Sequence, residues 1–263
     1  MSKLRLGGMA LRNGLLVHGP THWAAAVRAA DGSVKTASGR KPRFAVGLAG
    51  RVPGVRGVAR LAEAFAVIPL VKAALPEARL PMQDRRTLGA MAGATLAGHA
   101  LRRTGPASAG REVAMAALGL APALLALRGG DLASYHGVEH KAIAAYEQDG
   151  EAVDAAKEHD RCGSNLVAPL MASTVAGNLA MRRAGLRGPT ADAAVALGSV
   201  AVAVEVFAWS ERHAGTALAK ALRRPGYELQ RALGTREPTG EQLEVGQAAL
   251  AEILRAEGAG SST

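Results

Sequence analysis

Six side chains that can bind a metal or move a proton lie between Tyr135 and Asn165: His136, Glu139, His140, Glu147, His159 and Cys162. The first three spell H-x-x-E-H. On a helix this spacing puts both imidazoles on one face, where they can bind a single metal ion. Glu139 then lies beside the open coordination position. This is the inverted-zincin arrangement, in which a glutamate polarises or deprotonates a water on the metal.

A plain structural alternative exists for these residues. The two histidines could be solvated or core residues of a helix near a loop, with Glu139 paired to Lys141 or Arg161. A second polar cluster, formed by His159 and Cys162, counts against this alternative. It lies about twenty residues further on, in a polar loop that can fold back over the helix. The sequence therefore favours a metal site.

Helix geometry and ligand chemistry narrow the ligand set. We expect His136 and His140 to bind the metal together with one or both of His159 and Cys162. This donor set suits zinc best and ferrous iron next. Cys162 is the only cysteine, so it cannot form a disulfide within the chain. Cys162 as a nucleophile is the weaker interpretation, because its activating histidine would already be bound to the metal.

Three charged residues are predicted to act behind the ligands or at the substrate. Glu147 follows His140 by seven residues, so a straight helix separates them by roughly 10 Å along its axis. Glu147 therefore cannot bind the same ion unless the helix breaks before Gln148-Asp149-Gly150, a sequence that predicts a turn. With Arg161 it is otherwise expected behind the ligands or near the substrate. Glu205 lies inside an apolar segment. In a membrane helix such a charge has a functional or paired role by default, whereas in a soluble protein it more often forms a structural salt bridge.

The composition favours a helical protein. Of the 263 residues 49% are hydrophobic but only 3% are aromatic, and the apolar residues are mainly alanine, leucine, valine and glycine. Such residues favour close-packed helices over a β-sandwich. A single cysteine and a basic, glycine-broken N-terminal segment are not typical of a secreted, disulfide-linked protein.

Four segments are almost free of charge: Thr87–Leu101, Val113–Leu127, Leu166–Met181 and Ala193–Ser210. Their lengths fall at or just below those needed to span a bilayer, so soluble core helices remain an alternative. The 32 Lys and Arg residues fall as 15, 3, 4, 3 and 7 in the regions before, between and after these segments. This alternation predicts a multi-spanning protein of the inner (plasma) membrane, with both termini and the metal loop in the cytoplasm. The net charge of +10 then needs no nucleic acid partner.

The remaining regions complete a single membrane-embedded domain. Residues 1–50 are predicted to form a small β and loop region, with a hairpin turn at Asp31-Gly32. Residues 86–210 form the helical core, with the metal loop at 134–165. Residues 236–257 form an amphipathic helix that begins at a capping box. Val55–Leu75 is either a helix lying on the membrane or a buried helix kinked near Pro69.

Several phrases of the chain closely resemble the bacterial membrane family known as domain of unknown function 1385. They are Tyr135–Lys141, Tyr146-Glu147, His159–Gly163, Pro225-Gly226, Thr235–Pro238 and Glu241–Val245, preceded by Gly7–Gly14 and Gly19–Ala24. The chain departs from the family's usual residues at Met9, Asn13, His18 and Asp160. The resemblance implies a multi-spanning helical membrane protein of a family labelled as predicted metal-dependent enzymes. It implies no established substrate.

The sequence thus predicts a mainly α-helical membrane protein with about four spanning helices and a small N-terminal β-element. We expect a divalent metal cofactor, with zinc preferred, and Glu139 as the catalytic base. Membrane lipid is the expected partner. The expected activity is that of a metal-dependent hydrolase. A non-enzymatic membrane protein for metal handling or assembly, with a structural zinc, is the alternative. A soluble basic helical protein with a structural zinc is a third possibility.

Overall fold

The computed structural model describes residues 3–44, 47, 50–103, 108–128 and 130–260. Within the predicted N-terminal region, residues 1, 2, 45, 46, 48 and 49 lie outside this description. Four strands come first: β1 (Gly7–Leu11), β2 (Gly14–His18), β3 (His22–Arg28) and β4 (Val34–Arg40). The helices follow: α1 (Val55–Ala74), α2 (Arg85–Arg103), α3 (Ala109–Arg128), α4 (Leu132–Gln148), α5 (Val167–Arg183), α6 (Pro189–Arg212), α7 (Ala217–Leu229) and α8 (Gly240–Gly260). The prediction of a mainly helical protein with a small N-terminal β-element is confirmed.

The four strands form an antiparallel sheet in chain order. Strands β3 and β4 pair from His22 opposite Arg40 to Arg28 opposite Val34. Their connection contains Asp31, whose carboxylate accepts a hydrogen bond from the backbone N–H of Ser33. Gly32 there adopts a positive φ of 84°. The antiparallel pairing of β3 and β4 confirms the predicted hairpin. Its turn uses Gly32 because the position requires a residue that tolerates the left-handed region.

The sheet is covered by helices on both faces, as the side chains of β2 show. Leu15 and Val17 point to a core cluster shared with α4 and α8. Leu16 points the other way, into a cluster with Val67 and Val71 of α1. All five side chains are almost fully buried. Because successive strand residues face opposite sides, a strand with helices on both sides needs apolar residues on both of its faces.

The helix α1 accounts for most of the Val55–Leu75 segment and packs on the sheet through one face. Pro69 lies inside α1, and the helix continues to Ala74. One face of α1 is buried against the sheet, while Phe65 on another face is exposed. Arg56 near its start pairs with Glu205 of α6, so α1 is fixed to the helical group as well as to the sheet.

The C-terminal helix α8 begins at a capping box and is held to the sheet near its end. At its start, Thr239 and Gln242 form the predicted capping box, with each side chain accepting from the other's backbone N–H. Near its end, Glu257 accepts hydrogen bonds from the backbone N–H groups of Thr21 and His22 at 2.8 Å each. Burial alone would raise the pKa of Glu257, but these donors and the Thr21 hydroxyl outweigh it and lower the pKa.

All four predicted apolar segments are helical, as α2, α3, α5 and α6. Helices α2 and α3 pack together, as do α5 and α6, and α3 joins the two pairs. In the described part of the chain two helices, α3 and α6, are long and apolar enough to cross a membrane. Only 6% and 17% of their most apolar stretches are buried. Of the four predicted spanning helices, two therefore have the length and composition needed to cross a membrane.

Candidate metal centre

The helix α4 positions the two histidines of the H-x-x-E-H motif. Their rings lie on one face of α4 with centroids 4.4 Å apart. The Nδ1 atom of His136 lies 2.8 Å from the backbone oxygen of Gly234, and that of His140 lies 2.6 Å from the backbone oxygen of Lys157. A carbonyl oxygen can only accept, so both Nδ1 atoms carry the proton. In the neutral rings, each Nε2 atom therefore keeps its lone pair for another partner.

His140 has an unused Nε2 atom in the interior. The residue is 2% exposed, and this Nε2 has no hydrogen-bond partner among the described residues. Burial lowers the pKa of His140 to about 3, with a further contribution from neighbouring His136. The ring is therefore neutral at physiological pH. A buried, unpaired lone pair is costly, and a metal ion is one ligand that would satisfy it.

Cys162 completes a three-donor group. Its Sγ atom lies 3.3 Å from His136 Nε2. One ligand atom from each of His136, His140 and Cys162 lies within 4.8 Å of the others, the one such group among the described residues. Burial raises the pKa of the Cys162 thiol, while hydrogen bonds from Ser164 oppose this effect. Two imidazole nitrogens and a sulfur that converge in this way fit zinc, which favours nitrogen and sulfur donors.

The carboxylate of Glu139 lies beside this group in the interior. Glu139 is 8% exposed. Its side chain lies against Gly8 of β1, where an added Cβ would fall 2.7 Å from the Glu139 Cγ atom. Burial raises the pKa of Glu139 to about 7, with His136 acting to lower it and Cys162 to raise it. A carboxyl group in this range can both accept and return a proton at neutral pH.

His159 faces away from the three-donor group. Its ring is 5.7 Å from that of His140, measured between centroids. Its Nδ1 accepts a hydrogen bond from the backbone N–H of Arg161, and its Nε2 lies 3.4 Å from Glu147. Glu147 also pairs with the Arg161 guanidinium. Of the two loop residues expected as ligands, the fold thus brings Cys162 to the histidines and places His159 in an ionic cluster beside them.

Glu147 stands where helix geometry predicted. It lies in the last turn of α4, and Asp149 after it adopts the left-handed conformation with φ 55°. The helix therefore ends at the predicted turn, and Glu147 remains in the ionic cluster of His159 and Arg161.

Lys141 and Arg161, the two cations that could have paired with Glu139 in the structural alternative, interact with other residues. Lys141 is buried and donates hydrogen bonds to the backbone oxygens of Val153 and Ala155. Its ammonium also lies 2.6 Å from the carboxylate of Glu237. Since Arg161 pairs with Glu147, neither cation is the partner of Glu139. Lys141 instead secures the loop that carries Cys162.

Glu205 lies apart from this group. Its two carboxylate oxygens accept from the Arg56 guanidinium at 3.1 and 2.7 Å, and one also accepts from the backbone N–H of Gly54. A bidentate pair of this kind satisfies a carboxylate well. Glu205 thus fixes α1 to α6, which is the paired role that the sequence left open.

Sequence reasoning missed Gln230, which holds the loop. It is fully buried in a π-helical turn, Gln230–Gly234, that follows α7. Its side chain accepts from the backbone N–H of His159 at 2.8 Å and donates to the His159 oxygen and the Ser164 hydroxyl. The same turn supplies the Gly234 oxygen that orients His136. No signal in one sequence marks this residue, because a glutamine in a helix is ordinary.

Comparison with known proteins supports the resemblance over the second half of the chain. Residues 131–256 match the family described as "Protein of unknown function (DUF1385)". The match spans α4 to most of α8 and includes all the predicted site residues. The N-terminal phrases at Gly7–Gly14 and Gly19–Ala24 lie outside it. No curated protein and no solved structure matches the chain significantly.

Proposed function

We propose that this protein is a membrane-embedded, metal-dependent hydrolase. In this proposal His136, His140 and Cys162 bind one divalent metal ion, for which zinc is the best candidate, and Glu139 is the general base. The observation that carries the proposal is the convergence of three ligand atoms within 4.8 Å beside a buried carboxylate.

The donor set supports a metal with an open coordination position. Catalytic zinc sites use three protein ligands, whereas structural zinc sites use four. In the described residues His159, the fourth donor of a closed site, is engaged with Glu147 and the Arg161 backbone. This favours the enzyme over the non-enzymatic alternative, in which a closed zinc site would only fasten the loop to α4.

A bound zinc ion would supply Lewis acidity and make a coordinated water more acidic. The chain's own residues supply the rest. The Gly234 and Lys157 carbonyls hold the imidazoles in the ligand tautomer. In the proposal Glu139 takes a proton from an attacking water and passes it to a leaving group, and its raised pKa of about 7 supports this role. The reaction class that uses these parts is hydrolysis.

Exposed apolar helices support a membrane location. Leu197 and Val202 of α6 are 63% and 49% exposed, and Val113 and Leu125 of α3 are each 50% exposed. A soluble protein would bury most of such helices, while a bilayer accommodates apolar faces directed outward. With the lysine and arginine distribution, this supports a multi-pass inner-membrane protein with a cytoplasmic metal loop.

The test is a Glu139→Gln variant in detergent-purified protein and in a deletion strain. Glutamine keeps the size of the side chain but removes its basicity. We expect metal content and thermal stability to be retained while the deletion phenotype is not rescued, with activity reduced by roughly 100-fold or more. Glu151→Gln is the matched control, since Glu151 is exposed on the loop that follows α4.

Two results would contradict the proposal. Full complementation by Glu139→Gln, combined with failure of His136→Ala, would assign the site a structural role. Full metal retention in a His136→Ala, His140→Ala double variant would remove the metal site itself.

A further inference from the structure

A cleft opens at the surface next to the metal centre, between β1, α1, α6 and the segment on either side of Cys162. It consists of two adjoining cavities of about 510 and about 1140 Å³. Both are lined by Arg5, Arg60, Arg161, Val204 and Phe207. We call the smaller cavity and these shared residues the arginine cleft. Its size is in the range that holds a small organic ligand.

The arginine cleft is strongly cationic. Among the described residues that line the smaller cavity, Arg5, Lys41, Arg60 and Arg161 are cations and none is a carboxylate. Arg60 is exposed and forms no ion pair within the described chain. His18 also lines the cavity, and its buried Nδ1 has no hydrogen-bond partner among the described residues. Arg5 pairs with Glu211 and Arg161 with Glu147, so Arg60 is the arginine of the lining that keeps its full charge for a ligand. An excess of cations and a free ring nitrogen around one space favour an anionic ligand.

The other walls of the cleft are apolar. They come from β1, α1, α6 and the residues just before β1 and α5: Leu6, Met9, Leu61, Phe65, Leu166 and Phe207. Helix α6 is one of the two helices that are long and apolar enough to cross a membrane. A cationic rim above apolar walls matches a ligand with an anionic head and a hydrocarbon chain, and α6 connects these walls to the bilayer side of the molecule.

Two glycines connect the cleft to the metal centre. Gly8 lines the cleft and lies against Glu139. Gly163 lines it as well and directly follows Cys162. Because Gly8 has no Cβ atom, the Glu139 side chain can lie directly against the strand that lines the cleft, and Gly163 places the cleft one residue from the sulfur ligand.

We propose that the arginine cleft binds an anionic membrane lipid as the substrate of the metal centre, with the headgroup phosphate at Arg60, beside the ion-paired Arg5 and Arg161, and the acyl chain along α6. This inference rests on the proposed function. The ligand class is a lipid phosphate, since a free phosphate would make no use of the apolar walls.

The test is lipid binding to the detergent-purified, full-length protein, measured by native mass spectrometry. The probes are dihexanoyl phosphatidic acid, dihexanoyl phosphatidylcholine and glycerol phosphate. We expect the anionic lipid to bind at least about tenfold more tightly than the zwitterionic lipid, because of the charge-assisted contacts. We expect a similar preference over glycerol phosphate, which lacks the chains.

Arg60→Gln should lower the affinity for dihexanoyl phosphatidic acid about tenfold and leave the zinc content unchanged. Arg224→Gln is the matched control, because Arg224 is exposed on α7 and lines neither cavity. Equal binding of the two lipids, or an unchanged affinity in Arg60→Gln, would overturn the inference. Glycerol phosphate binding as tightly as the lipid would also overturn it, and would assign the cleft to soluble phosphate esters.

The two proposals fail separately. Loss of the lipid preference with normal zinc content and an inactive Glu139→Gln variant would refute the lipid inference alone. A protein without zinc that still selects the anionic lipid through Arg60 would refute the hydrolase and leave a lipid-binding protein.

Discussion

Replacement of Gln230 by alanine tests whether the metal loop is held by the π-helical turn. Gln230 is fully buried and makes three hydrogen bonds to the loop, two with the backbone of His159 and one with the Ser164 hydroxyl. Cys162 lies between these two contact points. Gln230→Ala should therefore loosen the segment that presents the sulfur ligand, without changing a ligand itself.

The magnitude follows from the three hydrogen bonds. Each contributes about 1 kcal/mol net, so their loss costs roughly 3 kcal/mol in the ordering of the loop. If the metal must restore this order on binding, its affinity falls by about 100-fold, since 1.4 kcal/mol corresponds to a factor of ten. Residues that hold metal ligands in place commonly have effects of about 10- to 100-fold.

The assay is competition with a chromogenic chelator for zinc, performed on detergent-purified protein. Gln242→Ala serves as the control, since it removes an equivalent side chain from the exposed capping box of α8. We expect the control to bind zinc like the wild type. Wild-type zinc affinity in Gln230→Ala would refute the reasoning, because the sulfur would then be positioned by other contacts.

Three further predictions concern the helices, the sheet and the membrane. Gly137→Ala should destabilise the protein by about 1–3 kcal/mol and lower zinc occupancy, because the new Cβ would lie 2.3 Å from the Arg236 oxygen; thermal melting and metal analysis test this, and an unchanged melting temperature would contradict it. Glu257→Gln should lower the melting temperature at neutral pH but not at acid pH. The lowered pKa of Glu257 stabilises the fold above the ordinary pKa of 4.5, and this stability is lost as the pH falls through the folded-state pKa. An equal drop in melting temperature at both pH values would contradict this reasoning. The protein should resist extraction by carbonate, and Glu151→Cys in a Cys162→Ser background should react with an impermeant maleimide only after permeabilisation; release without detergent or labelling of intact cells would contradict the membrane location or the orientation.

Local patterns allowed much of the fold to be predicted. The Asp31-Gly32 hairpin, the capping box of α8 and the four apolar helices each depend on residues a few positions apart, whose geometry is set by the backbone. The shared face of His136 and His140 belongs to the same class, because an i, i+4 pair on a helix is adjacent in any fold. The two-sided burial of the sheet was not predicted, because it depends on helices distant in sequence.

The loop was the point at which sequence reasoning left alternatives open. His159 and Cys162 are three residues apart in an irregular segment, so either could have reached the histidines. Tertiary contacts decided between them: Gln230 holds the backbone of His159, Glu147 faces its ring, and Cys162 is left beside His136.

The sequence by itself determined which chemical groups are present and which of them a helix must bring together. The tertiary structure decided that the sulfur of Cys162, and not the ring of His159, lies beside the two histidines. It also decided that Glu205 pairs with Arg56 and that a cleft with cationic and apolar walls opens near Glu139. The physical reason is range. Helical neighbours are set by backbone geometry, whereas a loop conformation and a cleft between α1, α6 and β1 result from many long-range contacts that no local pattern encodes.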